Sequence, residues 1–457
     1  MAQRAGRLLA LLVLSAVPAQ ALGKESAEEV SQARLRGRRQ DPAARDSPFA
    51  FGPATPDPVL QSQFEVMPQR REVGWMGGDA DASVVIGGGP TGRRALWIFS
   101  DTFVTRHHAH AQARDRNSAM PHSTVGLVEC DASSCTGKPK FYWKTGTAPP
   151  DQANFSRAAG SVLKDRIGEG ERRDIVSFFR PPAEQEVRGI HYWPVAGVAS
   201  RDGKSVIVLA FRYSGMTLAD LVLQGTTAII INDVDLVEDP RLWQYTTIDF
   251  GSSNYTWCHG VNYASDDGDD IYIWGHEGND RERPYLARGS YAALLAGDFD
   301  ALTYWSSVSG GKPSWRPWAA DIALQELGLT QWEGAFSWSS ELGLWYSFYI
   351  DFFAFGKDLY AWTAKEMTGP WQKTRLGYSV PEPFSTPGSG YLCYAAKSHP
   401  ELAPAPTPST VTLVLTYICN WDVTGPDPSP LFGNLSMFWP VRGYWPIFLK
   451  VKVRLPP

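Results

Sequence analysis

Two aspartates flank one hairpin-like stretch, Gly77 to Val104, which reads GGDADASVVIGGGPTGRRALWIFSDTFV. The glycine-rich tip between Gly87 and Arg94 lets the chain reverse, and antiparallel pairing about that turn brings Asp79 opposite residues 101 and 102. Asp79 and Asp101 then share the open end of the hairpin, away from the glycines. Carboxylates held that close disfavour joint ionisation, so that one stays protonated while its neighbour acts as base or nucleophile. Cleavage of a glycosidic bond needs this division of labour. A carboxyl separation of about 5 to 5.5 Å suits retention, and about 6.5 to 9.5 Å leaves room for an inverting water. The plainer alternative has Asp79 capping a turn and Asp101 accepting from the amides of the Asp-Thr-Phe run. Asp81 exchanges roles with Asp79 if the register slips by one residue.

Other polar residues precede strand-like runs and are candidates for the same pocket. Glu333 in QWEGAFSW is the third carboxylate, as acid or as modulator of its neighbours. His191 and His259 are placed as substrate-binding groups, while His399 and Asn420 read as structural. Four of the 18 tryptophans, Trp75, Trp193, Trp257 and Trp332, stand beside these polar residues, and their flat faces suit stacking on sugar C–H surfaces. With Asp81 they complete the expected substrate-binding set. The acidic run Ser265 to Asp270 lacks the spacing of a calcium loop and reads as a hairpin turn. RHHAH, Arg106 to His110, reads as a solvated loop, and GGGPTG fits no phosphate loop because no helix follows. No metal ligand set and no cofactor are expected.

These residues need a scaffold of strands. Amphipathic helical runs are scarce, and aromatic or β-branched runs dominate from Phe64 onward. The strongest are Trp97 to Ser100, Val206 to Phe211, Ile271 to Gly275, Leu344 to Ile350 and Val411 to Ile418. After a longer first gap they recur at roughly 65 to 75 residues, each among shorter strands and polar hairpins such as SRDGKS and SDDGDD. Five such units predict an all-β fold, a five-bladed β-propeller with four-stranded antiparallel blades; two packed sheets are the rival. Closure is expected from FLKVKV, Phe448 to Val453, pairing near residues 64 to 75 so that the ring keeps no free edge.

At 457 residues, 43% hydrophobic and 12% aromatic, the chain can bury a large core. A formal charge of -5 and the lack of a basic stripe argue against nucleic acid as a partner. Residues 1–21 read as a secretory signal: a basic start to Arg7, an apolar run from Leu8 to Val17, and Ala19-Gln20-Ala21. No later segment is long and apolar enough to span a bilayer. Residues 22–60, rich in charge, alanine and proline, read as a disordered leader or propeptide, and 61–457 as the propeller. Export implies oxidation, and the five cysteines are assigned as Cys130 with Cys135, Cys393 with Cys419, and Cys258 free and buried, although other pairings are open. Sequons at Asn154, Asn254 and Asn434 fit a secreted glycoprotein.

In order along the chain, GWMGGDADAS, LWIFSDTFV, YWPVAGV, IYIWG with YLARGSYAAL, WEGAFSWSSELGLWYSFYI, KSHPEL, TYICN and YWPIFLKVKV resemble the secreted five-bladed propellers of the DUF4185 type. That group is similar to the endo-D-arabinanases of glycoside hydrolase family 183. The resemblance implies Asp79 and Asp101 as the acids of the two motifs, although Ala80 and Ser100 stand where the family has glycines. The resulting expectation is a secreted, monomeric glycoside hydrolase acting on a polysaccharide or glycan. The alternative is a non-catalytic carbohydrate-binding or adhesive propeller.

Overall fold

The computed structural model describes residues 49–65, 73–106, 119–131, 134–146, 175–215, 221–278, 280–308, 311–319, 322–330, 333–350, 357–381, 391–421 and 444–456. The signal sequence, the sequons at Asn154 and Asn434, His107 to His110 and Trp332 lie outside them. The architecture is a five-bladed β-propeller of antiparallel blades. Blade one is Ala82–Gly87, Arg93–Phe99, Thr124–Glu129 and Lys140–Tyr142, from axis to rim. Blade two is Ile190–Ala199, Val206–Ser214, Val222–Ile231 and Tyr245–Phe250. Blade three starts with Tyr255–Tyr263, Asp270–Glu277, Asp280–Ser290 and Thr303–Val308, and two short strands pair outside the last of these. Blade four is Phe336–Ser339, Leu344–Ile350, Asp358–Ala364 and Gln372–Ser379.

All five strong apolar runs take the second position of their blade. The reason is burial on both faces: Leu344–Ile350, for example, is buried at every residue, so it reads as a continuous apolar run. The apolar side chains form five clusters, each between two neighbouring blades. One joins Leu96, Ile98 and Leu127 of blade one to Val206, Val208 and Ile229 of blade two, and the others repeat that pattern around the ring. Stability therefore comes from blade-on-blade contact around a ring.

Closure differs from the expected form. Blade five runs Tyr391–Ser398, Thr410–Trp421, Ile447–Arg454 and then Ala50–Pro56, so the C-terminal strand sits third and an N-terminal strand supplies the rim. Its partner is Ala50–Pro56 and not residues 64 to 75. The folded domain thus starts by Phe49, inside the stretch read as leader. An outer edge strand needs little apolar surface: Ala54 alone of the seven is buried, and prolines are tolerated there. The next helix, Pro58–Phe64, is capped by Asp57 Oδ1 accepting from the amides of Val59 and Leu60, and buries Leu60 and Phe64.

Both expected disulfides are present, Cys130 with Cys135 and Cys393 with Cys419, and Cys258 is buried and outside any disulfide. Cys393 and Cys419 are register partners on the two inner strands of blade five. Separations of 5 and 26 residues give chain-entropy contributions of about 2 and about 3.5 kcal/mol. Changing Cys393 and Cys419 to Ser should therefore cost more in denaturant unfolding than changing Cys130 and Cys135. Equal losses would contradict the loop-length argument. No helix among the described residues is long and apolar enough to cross a membrane.

Candidate active site

The hairpin of Gly77 to Val104 forms, but breaks in the middle. Ala82–Gly87 pairs with Arg93–Phe99 inside blade one, whereas Val73–Gly78 pairs with Thr102–Arg106 in a separate ribbon. At the break the Asp79 amide donates to Asp101 O (3.1 Å) and the Ser100 amide to Asp79 O (3.0 Å), so two residues oppose one, as in a bulge. Ala80 (φ 70°) and Asp81 (φ 36°) are left-handed, which turns the chain from ribbon to blade. The bulge sets both aspartates at the end of the ring where the innermost strands begin.

Asp79 Oδ2 accepts from Tyr444 Oη at 2.7 Å and Tyr394 Oη at 3.1 Å. Its Oδ1 is sealed from solvent and has no hydrogen-bond partner among the described residues. Burial, then the charges of Asp101 and Glu333, hold its carboxyl well above the usual carboxylate range, outweighing the two tyrosines that favour ionisation. Asp101 is different. Its side chain keeps 16% exposure, and Oδ1 lies 2.9 Å from His122 Nδ1. Trp193 Nε1 lies 3.2 Å from the same Nδ1, and the His122 ring stacks on His191 at 4.2 Å. Nδ1 serves one of these partners at a time: bare, it accepts from Trp193 Nε1; protonated, it donates to the Asp101 carboxylate. Glu333 is half-buried on a left-handed residue (φ 45°) that leads into blade four, close enough for its charge to act on Asp79, Asp81 and Tyr394. The structure thus brings Asp79, Asp101, Glu333, His191 and Trp193 to one mouth. Among the described residues, no group of three or more His, Cys, Asp or Glu could hold a metal ion.

Asp81 takes a different place. It is fully buried, Oδ2 bonds Thr416 Oγ1, and the chain continues through His399 Nε2 (2.6 Å), His399 Nδ1 to Ser83 Oγ (2.6 Å) and Ser83 to Glu401 Oε1 (2.5 Å). Each group can donate once in a single direction if Asp81 holds a proton and His399 is neutral, or His399 can donate both ways if Asp81 is ionised. Burial raises Asp81 despite His399 and Lys397. A carboxyl raised on folding contributes stability that is complete below the ordinary value near ~4 and is lost as pH rises through the raised one. Asp81→Asn keeps the acceptor for Thr416 and tolerates the left-handed backbone. Its melting temperature should gain on the wild type as pH rises from about 4 through the raised value. A gap that stays constant with pH would contradict this.

Trp75 is 2% exposed, stacks on Phe141 at 4.1 Å and donates to Thr124 Oγ1. Trp257, also 2% exposed, packs on Tyr304, and buried His259 packs on Phe211 and His276. These three are packing residues in this fold. The sequence reasoning missed His122, Tyr394 and Tyr444. His122 had a usable signal, as a polar residue just before the strand Thr124–Glu129; Tyr394 and Tyr444 read as aromatic core, because nothing local tells a hydroxyl's partner.

A five-bladed propeller with three acids gathered at one mouth is the class of protein the fold and site define. Within it the chain belongs to the DUF5005 family, a domain of unknown function, whose profile matches residues 62–451. This family stands in place of the DUF4185 type that the motifs resembled. No curated protein matches the chain. Among solved structures it is similar to a "putative hydrolase" from Bacteroides ovatus, at 16% identity and TM-score 0.59, covering 91% of this chain and 97% of that one. The GH43_1 enzyme from Xanthomonas citri matches at 9% identity and TM-score 0.34, covering 88% and 94%. The catalytic domain of a GH62 α-L-arabinofuranosidase from Coprinopsis cinerea matches at 11% and 0.30, covering 89% and 96%. The first likeness speaks for the fold alone, and the other two are too distant to add to it.

Proposed function

We propose that this protein is a secreted glycoside hydrolase that cleaves a polysaccharide or glycan at the mouth bearing Asp79, Asp101 and Glu333. The observation that carries the reading is the difference between two neighbouring half-buried aspartates: the Asp79 carboxyl, its Oδ1 sealed and its Oδ2 held by two tyrosines, is driven toward its neutral form, while Asp101 stands beside His122 with its side chain 16% exposed. A neutral carboxyl beside carboxylates spares them a like charge, and glycosidic cleavage works through carboxyl groups gathered in this way. Asp101 is the base or nucleophile, with its charge held by the imidazole. Glu333, half-buried at the same mouth, is the acid that reaches the leaving oxygen. Asp79, closed off by Tyr394 and Tyr444, acts through the other two: kept neutral, it spares Asp101 a second charge. Trp193, half-buried beside His122, offers the sugar-stacking face. An endo action on an arabinan-type chain is the finer form of the proposal, and rests on the motif resemblance.

The second reading, a carbohydrate-binding propeller without turnover, is favoured by one observation, the unpartnered and sealed Oδ1 of Asp79. A glycan array separates the two. Wild-type protein that binds a glycan and releases product from it supports the hydrolase, with Asp101→Asn retaining the glycan uncut. Stable binding by the wild type with the glycan left intact would establish the binding module.

A further inference from the structure

The axis of the ring holds a channel of about 790 Å³, lined by the innermost strands of all five blades. It opens beside Gly87, Asp202 and Glu401, where those strands end, and so faces away from Asp101. A void along a propeller axis is expected from the architecture. What lies inside this one is not. Lys397, on the innermost strand of blade five, is 1% exposed, and its ammonium crosses the axis to donate to Val195 O of blade two at 2.5 Å. A left-handed Ala395 (φ 54°) and a register break between Tyr394 and Lys397 turn the side chain inward.

An ammonium has three donors, and this one uses a single backbone carbonyl. No carboxylate among the described residues forms an ion pair with it, although Asp81, Glu333 and Asp79 lie near enough to favour its charge. Burial lowers Lys397 from the ordinary lysine value, which reflects how poorly its charge is solvated. Buried donors of this strength call for oxygen acceptors. The channel wall adds the hydroxyls of the Ser337–Ser398 pair (2.7 Å apart) and the Glu401 carboxylate, of which Ser83 occupies only Oε1. A cationic donor and an anionic acceptor in one channel oppose a charged occupant of either sign. They suit a neutral molecule that both accepts and donates through several hydroxyls. The volume falls in the range of about 300 to 1,000 Å³ typical of small-molecule sites.

We propose that the axial channel is a second binding site, separate from the carboxylate mouth, which takes a small neutral polyol or monosaccharide with Lys397 as its central donor. The site goes beyond the proposed hydrolase and does not depend on it. Saturation-transfer NMR on the intact Asp101→Asn protein, with D-galactose, L-arabinose and D-xylose as probes, reads it without turnover. At least one sugar should receive saturation, and D-galacturonate should bind more weakly than galactose. Lys397→Met should weaken binding at least about tenfold and Glu401→Gln severalfold, since each removes one partner of a buried polar contact. If Lys397→Met fails to fold, Ser337→Ala replaces it with the same expected direction. No transfer to any of the three sugars would overturn the proposal. So would transfer unchanged in the channel variants, which would place the sugar at the other mouth, or a preference for galacturonate, which would refute a neutral ligand. A wild type inactive on every glycan would sink the hydrolase and leave this result standing.

Discussion

Asp101→Asn should lower turnover by about 10² to 10⁴ on whichever glycan the wild type cleaves, with the melting temperature nearly unchanged. Asparagine keeps an oxygen for His122 and removes the group that titrates or attacks. Glu333→Gln should fall by a similar factor, and the double variant should fall little further, because groups acting as a unit are not additive. Asp79→Asn is the discriminating variant. Its carboxyl is held toward the neutral form, which asparagine imitates, and the Tyr394 and Tyr444 hydroxyls keep an acceptor. Most of the turnover should survive, within about tenfold, with the loss shrinking where Asp79 would ionise, because asparagine stays neutral there. A collapse equal to that of Asp101→Asn would put Asp79 in contact with the substrate and return it to the catalytic pair.

The other large effect lies at the seam of the ring. Removing residues 1–56 strips the rim strand from blade five and leaves Ile447–Arg454 as a bare edge. Five register pairs are lost, Ala50 with Arg454 through Pro56 with Leu449; at about 0.2 to 1 kcal/mol each that is about 1 to 5 kcal/mol, before any loss of apolar burial. Phe51 and Ala54 also leave the cluster between blades four and five. The truncated protein should unfold at lower denaturant and self-associate through the exposed edge, as seen by equilibrium urea unfolding and light scattering. A chain starting at residue 57 that stays monomeric with unchanged stability would show that the seam contributes nothing.

The architecture was legible because the second strand of every blade is buried on both faces and so declares itself without reference to the rest of the chain. The same logic hid the seam. Ala50–Pro56 buries only one residue and carries two prolines, so its composition reads as leader although its backbone completes a sheet. Asp79 and Asp101 were legible as a pair because a glycine turn fixes the pairing of its flanks. The bulge at Ser100 and Asp101 could not be read, since it depends on Ala80 and Asp81 adopting left-handed backbone. Trp75 and Trp257 look in sequence like any tryptophan near a polar residue. Only the packing on Phe141 and Tyr304 shows that their faces are taken. His122, which orients Asp101, is 21 residues away from it and meets it only through the sheet.

The central claim is that this mouth hydrolyses a glycan through Asp101. It is tested most directly by measuring reducing ends released by purified wild type and by Asp101→Asn from a panel of arabinan, arabinogalactan, xylan, galactan and levan. The account predicts release from at least one polysaccharide by the wild type and about 10² to 10⁴-fold less by a variant that melts at the same temperature. Release by Asp101→Asn at the wild-type rate, or none by the wild type from any of the five, would contradict it.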